Sequence, residues 1–136
     1  NNMYGNVIYN PTLAGNIKFG DGSFISTSYA YHALSSNSVL RTNVLVRTYY
    51  IDNVSGSENL LGNLAVVLPE PGASVPDGTV IGISTIAPIT NVVWTTTAGG
   101  TDKIKSVATT DLQTKGTTIR FQHIAFGSGT YWVKAP

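Results

Sequence analysis

Cysteine is missing from this chain altogether. That excludes disulfides, thiolate metal sites and cysteine nucleophiles, so stability has to come from packing or from assembly. Charge is also scarce: 11% of residues are Asp, Glu, Lys or Arg, against roughly a quarter in ordinary soluble domains. The 8 basic and 7 acidic residues leave a net charge of +1, and the basic ones are scattered, so nucleic acid finds no electrostatic footprint. No apolar run approaches the roughly 18–20 residues that span a bilayer. The opening Asn1-Asn2-Met3 lacks the basic start and apolar core of a signal peptide. Because the chain does not open on Met, a larger parent protein is expected.

Sustained helical periodicity is a further absence. β-Branched and aromatic residues instead recur in short runs separated by Gly, Pro, Asn and Asp, the pattern of an all-β chain. Candidate strands cover 4–9, 16–19, 24–28, 39–50, 64–68, 79–85, 91–96, 103–108, 117–126 and 130–134. About ten strands in 136 residues predict one two-sheet β-sandwich domain over 1–136. In the run 39–50, Leu40, Thr42, Val44, Val46, Thr48 and Tyr50 share a face expected to meet the core, opposite Arg41, Asn43 and Arg47. In 117–126 the inward set is Ile119, Phe121, His123 and Ala125. Leu64-Ala65-Val66-Val67-Leu68 does not alternate, as expected of a strand buried on both faces or entering an interface. Gly20-Asp21-Gly22, Asp77-Gly78, Gly99-Gly100 and Gly127-Ser128-Gly129 supply turns. Pro69, Pro71 and Pro76 exclude a central strand between them, and 51–62 is the longest loop candidate.

Catalytic constellations are not evident. Asp21 and Asp77 read as turn formers, Asp52 and Glu58 as loop residues, and Glu70 lies between prolines, so no carboxylate pair of the glycosidase kind stands out. His32 and His123 have no acidic neighbours at metal-ligand spacing, and His123 shares a face with Phe121, as a core histidine would. Gly127-Ser128-Gly129 has neither the spacing of a nucleophile elbow nor a following phosphate-loop lysine. No catalytic residue, metal site or cofactor is therefore assigned. Asn53-Val54-Ser55 satisfies the glycosylation sequon, a tripeptide common by chance in an Asn- and Ser-rich chain.

The aromatics admit two readings. Core packing is the plainer role for most, Trp132 above all. Exposed aromatic faces beside Asn, Asp or Arg are also how saccharides are held, by stacking and hydroxyl hydrogen bonds. Tyr29, Tyr31, His32, Tyr49 and Asn53 are the candidate ligand-binding residues, placed in or beside loops over 28–38 and 51–62.

Two segments carry a resemblance. Ile17-Lys18-Phe19-Gly20-Asp21-Gly22-Ser23-Phe24-Ile25-Ser26-Thr27-Ser28 resembles an "I-x-F-x-D-G-T-x-x-T-T-A" element of trimeric phage tail fibres and needles, with Ser for Thr after the glycine and Ser for the last Ala. Leu68-Pro69, Pro76-Asp77-Gly78-Thr79-Val80-Ile81-Gly82-Ile83, Thr117-Thr118-Ile119-Arg120-Phe121 and Gly129-Thr130-Tyr131-Trp132-Val133 resemble, in order and approximate spacing, the ending of phage fibre and appendage tips. Together the second set spans about half the chain. The resemblance implies a tumour-necrosis-factor-like jelly roll, assembled as a homotrimer at the tip of a bacteriophage tail fibre, tail needle or tailspike. Residues 1–28 would then be a stalk-proximal or connecting segment. The implied role is attachment to a bacterial surface glycan or outer-membrane receptor, trimer registration, or membrane penetration by a needle, in an extracellular virion setting; the resemblance transfers no catalytic residue, and the expectation is a protein without enzymatic activity. A C-terminal trimerisation or chaperone module of a tailspike, and a monomeric carbohydrate-binding module of a secreted enzyme, are the competing expectations.

Overall fold

The computed structural model describes residues 16–18, 20, 24–26 and 28–135. The candidate strand at 4–9 and the Asp21-Gly22 turn lie outside them. Every regular element among the described residues is a β-strand. β1 (Asn16–Lys18) and β2 (Phe24–Ser26) pair antiparallel. Two larger sheets follow. One has the order β3 (Tyr29–Leu34), β5 (Thr48–Asn53), β7 (Val80–Thr85), β10 (Thr118–Phe126), β11 (Gly129–Ala135), β9 (Ile104–Lys105). The other has the order β4 (Ser38–Arg41), β6 (Leu61–Leu68), β8 (Ile89–Thr96).

The chain alternates between these sheets. β3 to β4, β5 to β6 and β7 to β8 are three successive rungs, each giving one strand to either sheet. The like strands stack in parallel: β3 on β5, β5 on β7, β4 on β6 and β6 on β8. A parallel pair requires a crossover of a dozen residues or so, and here each crossover is made by a strand of the opposite sheet. The all-β, two-sheet expectation holds. The pairing differs from that of a jelly roll, whose Greek keys join antiparallel neighbours; antiparallel pairing enters the six-stranded sheet only at β7·β10 and β10·β11.

In-register rows of apolar side chains hold the rungs together. Leu40, Val66 and Trp94 align across the three-stranded sheet, and Ala30, Tyr49, Ile83 and Ile119 across the six-stranded one. The two sets meet in a single core with Ile51, Ile81, Phe121 and Trp132, where the rings of Trp94 and Phe121 cross edge-to-face at 5.0 Å. The indole N–H groups inside it are satisfied: Trp132 Nε1 donates to the Pro69 carbonyl at 2.7 Å and Trp94 Nε1 to the Ala108 carbonyl at 3.0 Å. The outer edge of β8 is covered by the irregular segment after β9, whose Thr109 and Leu112 carbonyls accept from the Val92 and Ile89 amides, so this edge does not lie bare.

The run 39–50 is not one strand. β4 ends at Arg41 and β5 begins at Thr48, and the chain turns the corner between the sheets in between. Asn43 makes that corner: its Oδ1 accepts the Leu45 amide at 2.8 Å, while its own amide donates to the Tyr49 hydroxyl at 2.6 Å. Leu40 is buried as expected, but the inward phase shifts by one after the corner, so Tyr49 is buried and Tyr50 is exposed. Ala125 is exposed, whereas Ile119, Phe121 and His123 are buried. Asp77-Gly78 and Gly127-Ser128 form the expected turns, both glycines having positive φ, 85° and 59°. Among the described residues no helix is long and apolar enough to cross a membrane.

Candidate functional site

The segment 28–38, expected to be a loop, is mainly β3, the edge strand of the six-stranded sheet. Its alternation is weak because its inward residues are Ala30, His32 and Leu34, all half-buried, rather than large aliphatics. Its outward residues include Tyr29 and Tyr31, which are 70% and 54% exposed. On the adjacent strand Tyr50, directly opposite Tyr31 in the register, is 37% exposed. The rings of Tyr29 and Tyr50 meet edge-to-face at 6.0 Å. Three phenol rings therefore stand side by side on one sheet face.

A buried carboxylate fixes this group. Asp52, at 2% exposure, lies in β5 and not in a loop. Its Oδ2 accepts the Tyr31 hydroxyl at 2.8 Å and the Ser57 hydroxyl at 2.7 Å, and its Oδ1 accepts the Glu58 and Asn53 amides, each at 2.8 Å. Burial alone would raise the Asp52 carboxyl, but these four donors outweigh it and hold the group at about 2 against an ordinary 3.8. The hydrogen bond to that carboxylate in turn raises the Tyr31 phenol. Tyr31 is thus a neutral hydroxyl with a fixed orientation. Glu58 takes a left-handed φ of 67°, the conformation in which its amide meets Asp52.

The other expected site residues fall elsewhere. Tyr49 is in the core, its phenol raised by burial despite hydrogen bonds to Asn43. His32 lies on the inner side and stacks on Tyr49, ring centroids 6.0 Å apart at 21°. Asn53 organises its loop: Nδ2 donates to the Asn59 and Leu60 carbonyls, and Oδ1 accepts from the Ser55 amide and hydroxyl. Its side chain is therefore committed. The structure thus joins Tyr29 and Tyr31 with Tyr50, Asp52 and Ser57, and sets His32, Tyr49 and Asn53 apart from them. Simple alternation through 39–50 places Tyr50 on the core face, and the one-residue phase shift at the Asn43 corner brings it outward.

The face continues across the sheet. Tyr31, Tyr50, Ser84 and Thr118 form one register row, and Tyr29, Thr48, Gly82 and Arg120 the next. The Ser84 and Thr118 hydroxyls are hydrogen-bonded at 2.8 Å, and Arg120 is exposed. Beyond the tyrosines the rows continue through half-buried Thr48 and exposed Thr118, with Gly82 and Ser84 buried between them.

Two other places gather polar groups. A shallow groove of about 370 Å³ is lined by Thr42, Asn43, Val44, Pro69, Glu70, Ser74, Val75 and Thr97. Its carboxylate Glu70 is already engaged by the Ala98 amide and Lys103, and hydrogen bonding from Thr96 contributes most to holding it below the usual range. His123 is buried against Trp132, with Nε2 accepting the Gly72 amide at 3.1 Å and Nδ1 lying 3.8 Å from Asp77 Oδ1. Among the described residues no three His, Asp or Glu side chains gather as a metal site would require. No protein-family model, curated protein or solved structure matches the chain.

Proposed function

We propose that this chain is the attachment domain at the tip of a bacteriophage tail fibre, tail needle or tailspike, binding a bacterial surface glycan without catalysis and working as a homotrimer outside the cell. One observation carries the binding part: Tyr29, Tyr31 and Tyr50 present their rings together on a rigid sheet face, with Tyr31 fixed by buried Asp52. Exposed large apolar faces in a soluble domain mark interaction sites. Aromatic rings bordered by hydroxyls and an arginine suit a ligand with apolar ring faces and many hydroxyl groups. The scarcity of charge is consistent with a surface that recognises sugars by shape and hydrogen bonding.

The test is a glycan array probed with the wild-type chain and with Tyr50→Ala, a substitution at an exposed position that breaks no hydrogen bond of the fold. Loss of one stacking ring is expected to remove about 1–1.5 kcal/mol, close to tenfold in affinity. Wild-type protein that retains no saccharide would overturn the reading.

A specific feature favours assembly as well. On the outer face of the three-stranded sheet, Val39, Ala65 and Val93 align in register, and Val39 and Val93 are 49% and 53% exposed. A trimer interface through this row would bury them, and taken alone it supports a trimerisation module with no ligand. Light scattering should give a mass near three times 14.4 kDa, falling toward 14.4 kDa in Val93→Lys. A monomeric wild type that still binds saccharide would instead favour a carbohydrate-binding module.

A further inference from the structure

We infer that the saccharide bound on this face carries an anionic group, a carboxylate or a phosphate, and that Arg120 receives it while the sugar rings lie against the tyrosines. This rests on the saccharide reading above and specifies its ligand. Arg120 is two strands from Thr48 and three from Tyr29 in the same row, which at about 4.8 Å per strand places it some 10 and 14 Å away along the face. The floor between is Gly82, flanked by the small side chains of Thr48, Ser84 and Thr118. Gly82 itself is buried: a Cβ there would lie 3.4 Å from the Arg47 carbonyl oxygen, 3.4 Å from Thr48 Oγ1 and 3.8 Å from Arg120 Cγ. The stem of Arg120 thus packs beside this glycine, on the same sheet face as the tyrosine group.

Charge on this face points the same way. Lys103, Lys115 and Lys134 are paired with Glu70, Glu58 and Asp111, and Lys105 sits 4.9 Å above the Tyr131 ring. Arg41, Arg47 and Arg120 make no ion pair with any described carboxylate, and of the three Arg120 alone stands in a register row of the tyrosine face, Arg41 lying in the three-stranded sheet and Arg47 before β5. The carboxylate nearest the tyrosines, Asp52, is saturated by four donors and buried. Strand geometry sets Asp52 about 16 Å from Arg120, beyond the roughly 8 Å over which exposed charges interact at physiological salt. An exposed planar guanidinium without an ion pair, on the same face as the three phenol rings, is suited to bidentate capture of a carboxylate or phosphate.

The experiment compares three probe sets on the full chain: uronic-acid oligosaccharides, the same oligosaccharides after carboxyl reduction, and phosphate-substituted oligosaccharides before and after dephosphorylation. The wild type is expected to prefer one acidic set and to lose about ten- to a hundredfold in affinity when its charge is removed. Arg120→Gln should lose the same factor on the acidic probe and cease to distinguish it from the neutralised one. Arg120→Lys should recover part of the difference. Both variants should keep the wild-type urea midpoint, since Arg120 is exposed. A neutral saccharide bound best, with affinity dependent on Tyr50 and indifferent to Arg120→Gln, would overturn the anionic ligand while leaving the saccharide face intact. No binding to any probe, charged or neutral, would remove both.

Discussion

Replacing Asp52 by Asn tests the element that rigidifies the tyrosine face. The amide can keep the local geometry: its oxygen accepts the Glu58 and Asn53 amides, and its NH2 can donate to the Tyr31 and Ser57 hydroxyls, which rotate to accept. What disappears is the charge. The folded carboxyl titrates at about 2 against an ordinary 3.8, which at 1.36 kcal/mol per pH unit is at most about 2.5 kcal/mol. Water reaching the neighbouring loop screens part of it, leaving about 1–2 kcal/mol. The sign follows from the depressed folded value: the contribution is complete above pH 3.8 and disappears as pH falls toward 2. Urea unfolding followed by tryptophan fluorescence at pH 7, 4, 3 and 2.5 should therefore show Asp52→Asn less stable than wild type by about 1–2 kcal/mol at pH 7. The two curves should converge at the acid end. Other carboxylates, Glu70 among them, titrate in both proteins and cancel in the difference. A constant gap from pH 7 to 2.5 would refute the reasoning, because the cost would then be steric.

Trp132→Phe keeps most of the buried apolar area but abandons the Nε1–H bond to the Pro69 carbonyl; a loss of about 1–3 kcal/mol in urea unfolding is expected, and a smaller change would mean that the carbonyl finds another donor. Burial lowers the His123 imidazole against the raising influence of Asp77, so the unfolded chain takes up a proton before the folded one. Stability should fall as pH drops from about 6.5, and this slope should vanish in His123→Gln, whereas an unchanged slope would locate it in another group.

What could be read from the sequence was local. The alternation of Ile119, Phe121 and His123, the Gly127-Ser128 hairpin and the Asp77-Gly78 turn each depend on neighbours in the chain, and each stands in the structure. The stacking of rungs does not. Tyr29 pairs with Thr48 and Thr48 with Gly82, while Ser38 pairs with Leu64 and Leu64 with Val92. These unequal steps hide any repeat, and register across them is set by the core and not by turn length. The Asn43 corner interrupts what looks like one long amphipathic strand, and Asn43 itself, a turn-favouring residue between Thr42 and Val44, is its local sign. Asp52 gathers Ser57 and Glu58 from its own loop, but Tyr31 comes from 21 residues away, which no spacing rule connects.

Saccharide binding by the tyrosine face is measured most directly by calorimetric titration of the array-selected saccharide into wild type and the Tyr29→Ala/Tyr50→Ala double variant. Both side chains face outward and neither makes a hydrogen bond that the fold requires, so the double variant should fold with a urea midpoint lowered only by loss of the Tyr29–Tyr50 ring contact, about 0.5–1.5 kcal/mol, while affinity falls about a hundredfold, two stacking losses of about 1–1.5 kcal/mol each. Equal affinity in the two proteins would contradict the account and place the binding surface elsewhere on the domain.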